Sequence, residues 1–360
     1  MNLLNKFSNP ELCKKLLTLL KNELIRPFRF MEVCGTHTVA IFRSGLRSLF
    51  PENLIHVSGP GCPVCVTHER EVAAFLELAQ KDVVLATFGD LMRVPGPNKQ
   101  TLKDLQAQGA NIKIVYSPFD ALQLALDTPD RDVIFIGIGF ETTAPTVAAT
   151  LNVARQQNIK NFFVFCLHKL VPPALKALLS GGVKIDGFLL PGHVSAIIGR
   201  GPYEFLSKDY NLPATIGGFE PVDILQAIYE LVKMFNLNQP AVVNCYSRVV
   251  KDEGNQKALL MLKRVFEPCS ALWRGLGEIP DSGLQIRSEF EAFDARKSFN
   301  LEDLPQVPPL KGCKCGDVLK GLLRPDECPL FNKQCTPESP VGPCMVSTEG
   351  SCAAYYKYLV

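Results

Sequence analysis

The sequence predicts an α/β protein: two similar parallel-sheet α/β domains facing a cleft, plus a small irregular-to-helical domain rich in cysteine. Three observations lead there. Short β-branched runs alternate with helix-like stretches up to about residue 250. The strand candidates are continuously apolar instead of alternating, as strands covered on both faces are. Six of the 13 cysteines fall at or beyond Cys313, in a proline-rich stretch poor in core-forming residues.

Taken in order, residues 1–26 read as an N-terminal amphipathic helix. Leu12, Leu16, Leu19 and Leu20 share a face, and Asn9 and Pro10 stand where a cap and a first turn belong. The segment lacks the long apolar region and small-residue cleavage site of a signal peptide. Domain I spans 27–130, with strands at 30–33, 54–58, 82–87 and 112–116 and a helix at 69–80. Domain II spans 131–250, with strands at 132–138, 162–167, 187–190, 214–217 and 242–246 and a helix at 222–234. The division near Thr128-Pro-Asp-Arg131 rests on an internal echo. One strand runs into Cys34-Gly-Thr-His-Thr-Val-Ala40, another into Glu141-Thr-Thr-Ala-Pro-Thr-Val-Ala148. Gly59-Pro-Gly-Cys62 is matched by Leu190-Pro-Gly-His193. Each places a polar, small-residue turn after a strand, where open α/β sheets bind ligands. Residues 251–360 form the C-terminal domain, with 295–312 as an extended connector.

Composition removes several function classes. A hydrophobic content of 47% is ample for packed cores, and a net charge of +2 with no basic run interleaved with aromatics speaks against nucleic acid. The longest apolar run, Val133-Ile-Phe-Ile-Gly-Ile-Gly-Phe140, has the length of a buried strand and falls short of the roughly 18 residues of a membrane span. A cytoplasmic location follows, and thiols there stay reduced. Metal or cluster ligation therefore ranks above a structural disulfide set for the tail.

The candidate chemistry begins at Gly59-Pro-Gly-Cys62-Pro-Val-Cys65. A Cys-x-x-Cys at a strand-to-helix turn closes a small disulfide or grips one metal with two sulfurs, and helix N-terminal amides stabilise a thiolate there. A structural zinc half-site would need a second nearby pair, and the next cysteine in sequence is Cys166. Cys34, in a polar turn with His37 three residues on, reads as a reactive or ligating thiol more than as an ordinary buried cysteine. Cys34, Cys62 and Cys65 together make three soft ligands suited to iron or another thiophilic metal, with a coordination position left open. Glu141 and His193, at second-domain strand ends, are candidates for proton transfer or ligand orientation, with helix capping as the milder alternative. Gly137-x-Gly139 lacks the third glycine of a dinucleotide fingerprint. Cys13, Cys166, Cys245 and Cys269 read as packing residues, and Trp273, Phe290 and Phe293 as core. In the tail, six thiols suit a four-iron cluster with two spare. The paired knuckles of a zinc ribbon and the Cys-x3-Cys-x2-Cys of radical enzymes are both missing.

Cys34-Gly-Thr-His-Thr38, Gly59-Pro-Gly-Cys-Pro-Val-Cys65, Phe140-Glu-Thr-Thr143, Pro191-Gly-His-Val-Ser195, Gly218-Phe-Glu-Pro221, Cys344-Met-Val-Ser and Glu349-Gly-Ser-Cys-Ala-Ala-Tyr-Tyr356 together resemble the HypD family of NiFe-hydrogenase maturation factors over nearly the whole chain. The resemblance implies a scaffold that, with a HypC-type chaperone, holds iron while it acquires cyanide and carbon monoxide. It implies a HypE-type cyanide donor, itself loaded through a HypF-type protein, and delivery of the Fe(CN)2CO unit to the hydrogenase large subunit. Cys34 then matches an iron ligand shared with the chaperone. Cys62 and Cys65 match thiols that ligate iron or cycle between dithiol and disulfide. The family also carries a 4Fe–4S cluster in an arrangement like that of ferredoxin–thioredoxin reductase. By that likeness Cys313, Cys328, Cys335 and Cys352 hold the cluster and Cys315 and Cys344 form a redox pair beside it; spacing leaves Cys328, Cys335, Cys344 and Cys352 as a rival set. Electrons would run from cluster to Cys315/Cys344, to Cys62/Cys65, to the bound iron or its diatomic ligand. Two other readings remain open, a stand-alone iron–sulfur thiol–disulfide reductase and a zinc-stabilised interaction protein.

Overall fold

A computed structural model describes residues 9–301 and 303–358. Two wholly parallel sheets organise it. The larger has the order β2-β1-β7-β8-β9, formed by β1 (Phe28–Glu32), β2 (Leu54–Ser58), β7 (Gly187–Pro191), β8 (Ala214–Gly217) and β9 (Val242–Asn244). The smaller has the order β4-β3-β5-β6, formed by β3 (Val84–Thr87), β4 (Ile112–Ile114), β5 (Val133–Gly137) and β6 (Phe162–Cys166). All nine strand candidates coincide with observed strands. The architecture is α/β with two units, as the apolar runs require.

The division between the units differs from the one expected at Thr128–Arg131. The chain lays down β1 and β2 in the larger sheet, leaves to build all of the smaller one, and returns with β7, β8 and β9. A boundary at residue 130 therefore cuts the smaller sheet between β4 and β5. The reason is pairing: β1 takes β7 as its neighbour, with Glu32 opposite Leu189, and both are buried strands whose local sequence carries no mark of the partner. His193, expected in the second domain, consequently follows a strand of the same sheet as the turns carrying Cys34 and Cys62.

The region after residue 250 also differs. An antiparallel hairpin, β10 (Phe266–Trp273) and β11 (Gly277–Ile286), docks beside β6 through Leu284 N–H to His168 O at 3.1 Å and Leu170 N–H to Ser282 O at 2.8 Å. The helix Gln256–Val265 packs on the helix Ala144–Gln156. Phe290 and Phe293 share a core with Phe162 and Val164. Residues 251–300 thus complete the smaller α/β unit, and the cysteine-rich part begins after the connector. The connector starts with a helical turn, Ala295–Ser298, before running irregularly.

The N-terminal helix is Pro10–Glu23, with Asn9 Oδ1 accepting from the Glu11 and Leu12 amides at 2.9 and 3.2 Å. Its buried face is Leu17, Leu20 and, just beyond the helix, Leu24, while Leu12 and Leu19 are exposed. The helix packs against Pro221–Leu237, on the larger unit, so the apolar stripe is rotated from the one expected. Trp273 is fully buried, its Nε1–H donating to Ser282 Oγ at 2.8 Å.

Candidate thiol site and cysteine-lined cavity

β1 and β2 are neighbours, so the turns leaving them meet. Gly59 N–H donates to Glu32 O at 2.8 Å and Gly35 N–H to Gly61 O at 2.9 Å. A Cβ on Gly61 would lie 2.2 Å from Cys34 N, so only glycine admits the contact. This interlock brings Cys34 beside Cys62 and Cys65. Each turn opens a helix: Cys34 caps Gly35–Arg43, and Cys62 caps Pro63–Val66, where its sulfur accepts from the Cys65 amide at 3.1 Å. Cys62 and Cys65 are joined as a disulfide, and Cys34 is a free, buried thiol.

Burial, then the Glu349 carboxylate, pushes the Cys34 thiol up to about 12. At this helix N-terminus the loss of solvent outweighs the favourable amides, the reverse of what an exposed cap would show. Glu32, at the end of β1, is also buried, and desolvation raises its carboxyl to about 8. It accepts from Cys34 N at 3.0 Å and from Thr38 Oγ1 at 2.5 Å. His37 Nε2–H donates to Gly218 O at 2.9 Å, and burial lowers the imidazole to about 4.

Glu141 and His193 part company. His193 is exposed, its ring stacked 4.0 Å from Phe219, which also lies 4.6 Å from the His37 ring. Glu141 lies buried at the end of the smaller sheet, where Oε1 accepts from Val171 N at 3.0 Å and so caps the helix Val171–Ser180. Its Oε2 is buried without a partner, and burial lifts the carboxyl to about 7. Gly137 and Gly139 have a packing role: Cβ atoms there would lie 3.1 Å from the His168 ring and 1.7 Å from Thr143 Oγ1. Cys166 is buried with its thiol on Leu284 O at 3.1 Å. Cys13 and Cys245 flank the apolar core of the larger unit, and Cys269 is half-buried on β10.

All six tail cysteines line one small cavity of about 20 Å³, with Val318, Leu330, Phe331 and Met345 as its apolar walls. Within it Cys315 and Cys344 approach each other, Sγ to Sγ, at 2.7 Å. Cys313, Cys328, Cys335 and Cys352 occupy the rest of the lining. Hydrogen bonds from Cys313 and Cys344 favour the negative form of Cys315, with the Arg274 charge adding to them. The four thiols around an apolar chamber fit the donor chemistry of a cluster that takes one thiolate at each iron. Among the described residues no three His, Cys, Asp or Glu side chains converge on a single ion.

The tail reaches the first site directly. The helix Pro343–Val346, carrying Cys344, packs on Pro63–Val66, the helix that Cys62 caps and that contains Cys65. Ser347 Oγ then donates to Asp90 Oδ2 at 3.0 Å, at the end of β3, and Thr36 Oγ1 to Glu349 Oε1 at 2.7 Å, beside Cys34. The helix Ser351–Tyr358 packs on Gly35–Arg43, with Tyr355 and Phe42 rings 4.6 Å apart. Sequence reasoning assigned no role to Glu32, Asp90 or Glu349. An acidic residue ending the apolar run Phe30-Met-Glu-Val33 was the one available signal for Glu32; the other two depend on non-local docking.

Fold and site together define a two-unit α/β protein whose centre of one free thiol and one disulfide is clamped by a cysteine-lined C-terminal module. Comparison with known proteins gives that class a family. The HypD family model, described as "Hydrogenase formation hypA family", matches residues 11–359. The chain is 44% identical to hydrogenase maturation factor HypD of Cupriavidus necator over 370 residues, covering 99% of this chain and 97% of that protein. It is 45% identical to HypD of Escherichia coli K12 over 338 residues, 92% of this chain and 90% of that protein. It is 44% identical to HypD2 of Bradyrhizobium diazoefficiens over 342 residues, 92% and 90% respectively. The chain belongs to the HypD family of hydrogenase maturation factors. Among the described residues no helix is long and apolar enough to cross a membrane.

Proposed function

We propose that this chain is the scaffold on which the iron unit of a NiFe hydrogenase is assembled, working in the cytoplasm with a HypC-type chaperone and a HypE-type cyanide donor before transfer to the hydrogenase large subunit. The observation that carries the reading is the continuity of thiols: a six-cysteine cavity abuts, through Pro343–Val346, the helix that Cys62 caps and that contains Cys65, and their turn is locked to that of Cys34.

In this reading iron is cargo. Cys34 is its anchoring thiol, and metal binding displaces the thiol proton. Once reduced, Cys62 and Cys65 add soft ligands or return electrons. The chamber residues Cys313, Cys328, Cys335 and Cys352 would hold a 4Fe–4S cluster, which supplies one-electron steps when bound. Cys315 and Cys344, in contact at 2.7 Å, are the dithiol that exchanges with Cys62–Cys65. Glu32 and Thr38 fix the backbone that presents Cys34. Glu349 closes the site from the tail, His193 is an orienting group beside it through the Phe219 ring that also contacts His37, and Glu141 orients the helix Val171–Ser180.

Anaerobic co-expression with the small chaperone, followed by infrared spectroscopy of the complex, tests this. Cyanide and carbonyl stretches are expected, and they vanish in Cys34→Ala while the brown colour stays. A colourless protein with one zinc and no iron or sulfide overturns the proposal. The Cys62–Cys65 disulfide also favours a second reading, a stand-alone thiol–disulfide reductase. Turnover of a disulfide substrate with no diatomic stretches would select it.

A further inference from the structure

Arg274 opens the turn between β10 and β11, and it is 2% exposed. Three of its groups hold the segment that follows Cys65. Its backbone N–H donates to Val66 O at 2.9 Å, Nε donates to Thr67 O at 2.9 Å, and Nη1 pairs with Glu69. On the other side the turn meets the tail in backbone contact. A Cβ on Gly275 would lie 2.3 Å from Gly316 Cα, and Gly316 directly follows Cys315. One buried cation therefore stands between the element carrying Cys65 and the element carrying Cys315. Its remaining terminal nitrogen, Nη2, is buried with no partner. A guanidinium donor stripped of water and left unpaired is costly, so its retention calls for a physical explanation.

We propose that Arg274 is the positioning residue for thiol–disulfide exchange between Cys315/Cys344 and Cys62–Cys65, with Nη2 reserved for the sulfur that bears negative charge during the exchange. The inference deepens the relay reading and rests on it. The exchange balances within the chain. One tail thiolate attacks the Cys62–Cys65 disulfide, whose S–S bond breaks as a mixed disulfide forms. The second tail thiol attacks that mixed bond, leaving Cys315–Cys344 as a disulfide and Cys62 and Cys65 as thiols. Two electrons and two protons change pairs, and no outside oxidant is required. The reactant state is the one in the structure, a closed Cys62–Cys65 bridge and free Cys315 and Cys344.

The test uses the anaerobic full-length protein, equilibrated in glutathione buffers, with each thiol pair read by differential alkylation and mass spectrometry. Arg274→Gln is expected to slow exchange at least tenfold. It should also make the Cys315/Cys344 midpoint more negative, by about 30 mV for each tenfold change in equilibrium constant, because the reduced pair loses a stabilising cation. Arg274→Lys should recover most of the potential. Glu69→Gln leaves Arg274 in place and removes the carboxylate that competes for it, so the potential should rise; this variant keeps the test open if Arg274→Gln does not fold. An unchanged Cys315/Cys344 potential in Arg274→Gln overturns the assignment, as does a fall in Glu69→Gln. Absence of exchange in the parent protein would instead overturn the relay itself.

Discussion

Glu141 offers a quantitative handle on the carboxyl end of the smaller sheet. Its carboxyl is fully buried, and desolvation holds it near 7, against an ordinary value of 4.5. The fold therefore binds a proton that the unfolded chain has released between those values. With more protons bound when folded, stability falls as pH rises: the contribution is intact below about 4.5 and lost as pH climbs through 7. The ceiling is about 3 kcal/mol at pH 8. Glu141→Gln keeps an oxygen for the Val171 amide and cannot ionise, so the variant should match the parent near pH 4.5 and exceed it by up to that amount at pH 8. The single tryptophan reports on this locality, since Trp273 is buried and its ring stacks 6.0 Å from Phe140, the residue preceding Glu141. Urea unfolding at several pH values, followed by tryptophan fluorescence, gives the two curves. Parallel pH profiles for variant and parent would refute the argument, because they would mean that Glu141 ionises alike in both states.

Other expectations follow from the same geometry. Cys328→Ala should bleach the visible absorbance of the anaerobic protein, whereas Cys315→Ala should keep it; a bleached Cys315→Ala protein would favour a different ligand set. Glu71 and Lys169 form an ion pair at 2.9 and 3.0 Å with 3% and 2% side-chain exposure. Glu71→Gln strands the ammonium and should cost about 3–5 kcal/mol, read as a lowered melting temperature. Gly61→Ala drives a methyl into the Cys34 backbone, should cost about 1–3 kcal/mol, and should speed alkylation of Cys34, which is 7% exposed.

The secondary structure was legible because the evidence for it is local. Apolar β-branched runs such as Val133-Ile-Phe-Ile-Gly137 end in glycine or polar turns, and those ends carry Cys34, Cys62, Glu141 and His193. Strand partnership was not legible. β1 pairs with β7 across more than 150 residues, and both runs would suit either sheet. The β10–β11 hairpin escaped because Pro268 sits inside β10, a residue that lowers a strand assignment, and because the ladder is broken between Cys269 and Ala271. The N-terminal helix was recognised from its cap, but its leucines allow two overlapping stripes, and only the helix Pro221–Leu237 beneath it selects Leu17 and Leu20.

The interleaved chain path has a consequence for how the thiols work together. The smaller sheet is inserted between β2 and β7, so its two connections to the larger sheet leave the carboxyl end of β2, beside Cys62 and Cys65, and arrive at the start of β7. The tail joins the same end a second time, on Asp90 of the smaller unit and on Thr36 of the larger. Segment 344–352 thus carries two cavity cysteines and, between them, both docking contacts. Gly350 sits against the Cys344 backbone, where a Cβ would lie 2.1 Å from its carbonyl oxygen. Segment 344–352 thereby links the Cys315/Cys344 contact to Glu349, beside the buried thiol of Cys34. The cysteine-rich module is therefore joined to the Cys34 site through the contacts of this segment. Loosening the strap with Ser347→Ala and Asp90→Asn should uncover Cys34 to alkylation without touching a cysteine.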